Sequence, residues 1–169
     1  LLDTDVFYPY LAETANQNPW YGAFQTRTDY AISDLMDEFM TPKGDMRLTK
    51  YANPAPLQDN GDGITQIEEI VGHPYSMANP GDIPNAEISF PGAAIGAGGP
   101  GVGQQDAPLP IVTKSEVHFM LAEAAARGWN VTGDAPTHYG LAIKASWEQW
   151  GVYDKAAYTS YMAHADVVY

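Results

Sequence analysis

The chain has 169 residues and no cysteine, and sets 21 Asp and Glu against 8 Lys and Arg for a formal net charge of −13. The length suffices for one domain with a sizeable core. The charge excludes nucleic acid and an anionic membrane surface as natural partners, since clustered cations grip both, and the missing thiols exclude disulfides and thiolate metal sites.

The chain opens on LLDTDVFYPY, without Met or a basic leader, and closes on AHADVVY, an apolar strip without a capping signal. The expectation is an internal-to-C-terminal part of a longer protein, any targeting signal lying elsewhere. No apolar run approaches the roughly 18 residues of a membrane-spanning helix. Residues 1–25 are irregular and aromatic, with Tyr8, Tyr10, Trp20, Tyr21 and Phe24 among Asn and Pro. A helix is predicted after Thr28, which can cap it. Its buried stripe reads Ile32, Leu35, Met36, Phe39 and Met40 at i, i+3, i+4, i+7, i+8 spacing. Thr41–Gly44 (TPKG) stops it, and DMRLTKY can add a short helical turn.

From Asn53 to about residue 112 periodicity disappears. Seven glycines and six prolines fall between Pro80 and Pro110, so this stretch reads as a long loop excursion from a scaffold. Within it ITQIEEIV and AEISF alternate well enough to suggest short strands.

Residues 113–169 read as a helical segment. SEVHFMLAEAAARGW forms a helix to Arg127, with Gly128 placed as its C-terminal cap. Asp134 caps a second helix with Pro136 in its first turn and a buried face of Tyr139, Ile143, Trp147 and Trp150. Gly151 ends it, and Asp154 opens a third helix carrying Tyr158, Tyr161 and Met162. The alanines of the first helix (Ala122, Ala124, Ala125, Ala126) are expected to receive the aromatic face of the second, small against large. One pair spans close to the tetratricopeptide period. A pair cannot stand alone, so neighbouring repeats are expected outside this chain.

These residues carry a resemblance. LPIVTKSEVHFMLAEAAARGW followed by APTHYGLAIKASWEQWGV resembles the C-terminal helices of the SusD/RagB family, surface lipoproteins that capture nutrients. Glu116, Val117, Leu121, Ala122, Glu123, Ala124, Gly128, Trp129, Tyr139, Ile143, Ala145, Ser146, Trp150 and Gly151 carry the match. Upstream, Asp45, Arg47, Leu48, Tyr51, Ala52 and Pro54 match the family's helix-to-DpRl segment. EEIVGHPYSM is similar to the element after it, without the Tyr usual before Gly72. The ordered matches cover about two-thirds of the chain. The resemblance implies a mainly α fold of tetratricopeptide-like helix pairs, with long irregular loops and a few short strands. It implies a non-enzymatic, glycan- or peptide-capturing lid on a SusC-like TonB-dependent transporter at the outer-membrane surface. That lid would be lipid-anchored through a segment not in this chain.

Other motifs need weighing. QDNGDGITQIEE aligns on Gly63 as an EF-hand-like loop with Asn60, Asp62 and Glu69 at positions three, five and twelve, but Gln58 stands where Asp is required. It reads as a polar turn, as a looser calcium site using Asp59, Asp62 or Glu69, or as an EF-hand; no cofactor is required. Gly96–Gly101 (GAGGPG) fits a dinucleotide fingerprint only formally, since prolines and glycines follow where a helix must start. His73, His118, His138 and His164 lack zinc-ligand spacing; His118 reads as polar-facing and His138 as solvated. Glu116 and Glu123 lie about 10 Å apart on one helix at 1.5 Å per residue and read as structural. Trp and Tyr stack on the apolar faces of sugars, which makes Trp20, Tyr21 and Tyr75 the candidate ligand contacts. Asn16, Gln17 and Asn18 flank the first two. The rival functions are a surface glycoside hydrolase, which needs two carboxylates across one cleft, and a helical scaffold that binds only protein.

Overall fold

The computed structural model describes residues 4–98 and 103–169. In chain order come strand β1 (Val6–Tyr8) and helices α1 (Pro19–Phe24), α2 (Asp34–Met40) and α3 (Leu48–Tyr51). Strand β2 (Leu109–Val112) and helices α4 (Lys114–Ala126), α5 (Ala135–Gln149) and α6 (Lys155–Met162) follow. Single 3-10 turns punctuate the stretch between α3 and β2. The mainly helical class holds. Contacts divide the chain into two compact units, Leu1–Tyr8 with Pro110–Tyr169, and Pro9–Leu109. Among the described residues no helix is long and apolar enough to cross a membrane.

In the helical unit the caps decide where helices start. Thr113 Oγ1 accepts the Glu116 N–H at 3.2 Å, and the Glu116 carboxylate accepts the Thr113 N–H at 2.8 Å. This capping box satisfies two otherwise orphaned donors and gives Glu116 its structural role. Asp5 accepts the Lys114 N–H at 2.6 Å. Asp134 caps α5 through the Thr137 N–H at 2.8 Å, and the hydrogen bonds from Thr137 hold its carboxyl below the usual carboxylate range. Asp154 caps α6 through the N–H groups of Ala156 and Ala157.

The helix interlock departs in part from the small-against-large expectation: of the predicted aromatic face, Tyr139 meets α4 at Phe119 and Trp147 does not face it. On α5, His138 meets His118 of α4 and the Tyr139 ring lies 5.9 Å from that of Phe119, while Ala135, Ala142 and Ala145 are buried beside them. On α4, Ala122 is buried while Ala126 and Met120 are exposed. Trp147 faces α6, its ring 5.3 Å from that of Tyr161 and 5.8 Å from that of Tyr158. Small residues on both sides let two axes approach, and the wide indole then fits the gap beside the third helix. Trp150, predicted to be core, is half-buried. Tyr158 donates to the Gly140 carbonyl at 2.8 Å, and burial pushes its phenol above the ordinary value.

In the Pro9–Leu109 unit the predicted stripe splits. Ser33, not Thr28, caps α2, its Oγ accepting the Leu35 N–H at 3.2 Å. Ile32, Met36 and Met40 pack with Leu48, Ala52, Ile67 and Ile70, whereas Leu35 and Phe39 are exposed. A helix of seven residues offers the core one row, and the neighbouring i, i+4 row stays outside. Lys43 Nζ lies 3.8 Å from the Phe39 ring centre and covers part of it. Before α3, buried Asp45 accepts from Arg47 Nε at 2.8 Å and from the Arg47 N–H at 3.2 Å.

Neither predicted strand forms. Ile67–Glu69 is a 3-10 turn because the Glu69 carboxylate folds back onto the Gln66 N–H at 2.9 Å. AEISF begins in another such turn, Asn85–Glu87. The strands that do pair, β1 and β2, expose every residue, so they lack the alternation that marks a half-buried strand. Part of the Gly96–Gly101 run lies outside the described residues.

Trp147 is fully buried and its Nε1 has no hydrogen-bond partner among the described residues. Trp147→Ala is expected to cost about 3–5 kcal/mol in denaturant titration. Trp147→Phe keeps an aromatic ring and removes the orphaned donor, so it should cost about half of that or less. Equal losses would show that ring packing is not what Trp147 contributes.

Candidate functional site

Three irregular segments of the Pro9–Leu109 unit, residues 28–33, 71–81 and 85–90, meet at Ser89. Ser89 is fully buried and uses every polar group it has. Its carbonyl accepts the Ile32 N–H at 2.9 Å and its N–H donates to the Val71 carbonyl at 2.8 Å. Its Oγ accepts the Val71 N–H at 3.0 Å. Beside it the His73 N–H donates to the Ile32 carbonyl at 2.7 Å, and the Asp34 N–H to the His73 carbonyl at 2.9 Å. Gly72 permits this approach, since a Cβ there would collide with the Asp34 backbone. The Gly72 N–H is also held by Asp37, at 3.2 Å.

The three segments enclose an open cleft of about 470 Å³. Buried Ile32 and Ile88, with half-buried Ala31 and Phe90, form its apolar part. Thr28, Asp29, Ser33 and Asn85 supply polar groups, and His73, Pro74, Tyr75, Ser76 and Met77 form a wall. Asp29 is paired with Arg27 at 2.7 Å.

That wall is anchored at several points. Asp34 Oδ1 accepts the Tyr75 N–H at 3.1 Å and the Leu35 N–H at 2.8 Å, so the start of α2 also fixes the loop. The His73 ring closes the loop, with Nδ1 3.0 Å from the Pro74 carbonyl and Nε2 3.1 Å from the Pro80 carbonyl. Ser76 has φ +60°, which no other described non-glycine residue shares in sign; such a backbone costs of order 1–3 kcal/mol and persists only where its surroundings over-determine it. The result is a Tyr75 side chain 73% exposed at the cleft. An apolar patch, a polar rim and an exposed ring suit a ligand with apolar faces and many hydroxyls.

The cleft takes in Tyr75, but Trp20 and Tyr21 sit on α1 and do not line it. The Trp20 ring lies 5.3 Å from Tyr30 and 5.9 Å from Phe24, and it remains 42% exposed. Asn18 caps α1 and donates to the Ala107 carbonyl at 2.8 Å, which accounts for its burial. In the loop of Asp59, Asp62 and Glu69 the carboxylates accept backbone N–H groups. Asp59 takes Gly61 at 2.8 Å, Asp62 takes Ile64 at 2.7 Å, and Glu69 takes Asn60 at 3.1 Å and Gln66 at 2.9 Å. Among the described residues no three His, Asp or Glu side chains are grouped to hold a metal ion. Sequence reasoning missed Asp34, His73, Ser76 and Ser89. The alternation in AEISF was the one available signal, since it separates Ile88 and Phe90 from Ser89.

The model of the SusD-like family, described as starch-binding and associating with the outer membrane, matches residues 2–169. No curated protein matches the chain. Among solved structures it is similar to a Bacteroides vulgatus protein assigned to the outer membrane and to nutrient binding (TM-score 0.75, 22% identity, 100% of this chain and 39% of that one). It is also similar to a SusD homologue from Bacteroides fragilis (0.70, 21%, 97% and 37%). A third is a chitin-binding SusD homologue from Flavobacterium johnsoniae (0.64, 25%, 88% and 27%). The chain therefore spans well under half the length of these relatives.

Ser89→Ala would leave the Val71 N–H without its partner in a buried joint, a loss of about 1–3 kcal/mol. The expected readout is a lower thermal midpoint together with faster amide exchange at Val71 and Ile32. Unchanged exchange at both would mean that the joint does not hold the segments.

Proposed function

The chain belongs to the SusD-like family, and on that footing we propose that its cleft binds glycan at the cell surface for delivery to a TonB-dependent transporter of the outer membrane. The observation that supports this reading is Tyr75, held exposed beside an apolar patch by Asp34 and a strained Ser76. A ring in that position can stack on a sugar face while the surrounding polar groups take hydroxyls. The protein acts in this reading as a lid on a SusC-like partner, anchored by lipid and without catalysis of its own. Among the described residues Asp29 is the one carboxylate lining the cleft, whereas glycoside hydrolysis works with two.

Starch, from the family's description, and chitin, from the Flavobacterium johnsoniae relative, support a proposed ligand class of neutral polymers of hexose or N-acetylhexosamine units. Trp20 and Tyr21 are proposed as a second contact, with Trp20 offering its exposed face. Calcium in the Asp59, Asp62 and Glu69 loop stays a proposal in which the ion would compete with backbone N–H groups for carboxylate oxygens.

Calorimetry with maltoheptaose, chitohexaose and a peptide control, with and without chelator, tests the reading. Saturable oligosaccharide binding is expected. Tyr75→Ala should weaken it roughly three- to tenfold, because one aromatic contact contributes about 0.5–1.5 kcal/mol beyond area burial. Trp20→Ala should weaken it less. Binding of the peptide alone, or glycan affinity untouched by Tyr75→Ala, would overturn the assignment of this cleft, and loss with chelator would establish the calcium proposal.

A further inference from the structure

The helical unit holds a histidine pair that glycan binding does not use. His118, in α4, and His138, in the first turn of α5, bring their Nδ1 atoms to 3.1 Å, with ring planes inclined by 29°. His138 is 7% exposed, which corrects the solvated ring read from the sequence. Its burial follows from the loop that precedes α5. The Thr132 carbonyl lies 2.6 Å from His138 Nε2. Gly133, at φ +89°, packs so closely that a Cβ there would come within 2.8 Å of the same nitrogen.

Those contacts fix the protons. A carbonyl only accepts, so His138 Nε2 carries the hydrogen and Nδ1 of the neutral ring is a bare acceptor. The 3.1 Å contact then requires His118 to donate from Nδ1. Ring centres 5.3 Å apart place the two nitrogens nearly head-on. Nitrogens that share a tetrahedral metal ion aim at a point beside the line between them, whereas these two face each other along it. The pair is therefore built around a proton.

We propose that His118 and His138 form a proton-operated clasp that fastens the loop before α5 to α4 and opens in acid. A first added proton goes to His118 Nε2 and leaves the N–H···N bond in place. A second can go only to His138 Nδ1, which sets two N–H donors against each other, and one ring must then turn away. The charged groups beside the pair are Lys114, four residues before His118 on α4, and Asp134, the N-cap of α5. Burial, then His138, then Lys114 hold His118 below the ordinary histidine value. A lowered value means that the unfolded chain binds protons first. His118's own contribution to stability is thus complete above the unfolded value of about 6.5 and falls away as pH drops below it towards the lowered folded value, while the clasp itself opens only when the pair takes up its second proton.

The test is nitrogen NMR of the whole chain with labelled histidine, from pH 7.5 to 5. At pH 7.5 His118 should carry its proton on Nδ1 and His138 on Nε2, with a coupling across the N–H···N bond. Between pH 7.5 and 5 the coupling should vanish. Amide exchange over Thr132–His138, corrected for its intrinsic pH dependence, should accelerate by about tenfold or more, the factor that corresponds to one pH unit of linkage. His138→Gln can still donate to Thr132 and accept from His118 but cannot titrate, so its exchange should stay slow at both pH values. A His138 proton on Nδ1 at pH 7.5, or the absence of the coupling, overturns the clasp on the wild-type chain alone, whether or not the variant folds. Acceleration in His138→Gln equal to wild type overturns it as well.

Discussion

The cleft rests on one buried serine. A region without regular sheet must still satisfy the backbone groups it buries, because each one left unpaired costs as much as a lost hydrogen bond. Ser89 does this for three segments at once, with its carbonyl to Ile32, its N–H to Val71 and its hydroxyl to the Val71 N–H. Neighbouring bonds at His73 and Asp34 carry the joint two residues further along each segment, from Val71 to His73 and from Ile32 to Asp34. The arrangement behaves as a fragment of sheet one residue wide. It holds loops in register with no strand long enough to be recognised as one.

The helical unit solves a different problem, which is how to pack neighbours of unequal bulk. Small residues on α4 and α5 allow close approach, and that approach leaves Trp147 to be housed against α6. The same close approach brings His118 to His138, so a polar pair occupies a position where ordinary packing would place a hydrocarbon. Burying two imidazoles is tolerable because the Thr132 carbonyl and the mutual N–H···N bond satisfy three of the four ring nitrogens.

Legibility in the sequence follows the range of the interaction. The ends of α4 and α5 and the starts of α5 and α6 were readable because Gly128, Gly151, Asp134 and Asp154 act on residues within one turn of themselves. The start of α2 was misread because two hydroxyl residues, Thr28 and Ser33, could each cap it, and the choice is made by distant bonds from Ile32 and Asp34 to Ser89 and His73. The outward turn of Leu35 and Phe39 follows from that later start. Of the ligand-contact candidates, Tyr75 could be named as an exposed loop aromatic. Its supports could not, because Asp34 lies 41 residues away in sequence and Ser76's backbone conformation has no compositional mark. The burial of His138 was equally hidden, since it depends on a carbonyl and a glycine whose only sequence trace is an unremarkable loop.

The joints around Ser89 are made almost wholly from main-chain atoms, with the serine hydroxyl as the chief exception. Main-chain atoms are common to all residue types, so Thr28, Asp29, Tyr75 and Asn85 can be exchanged without unmaking those joints. On the proposed reading of the cleft, ligand preference and architecture are thereby placed under separate genetic control: a handful of codons could alter what is captured while the frame stays the same.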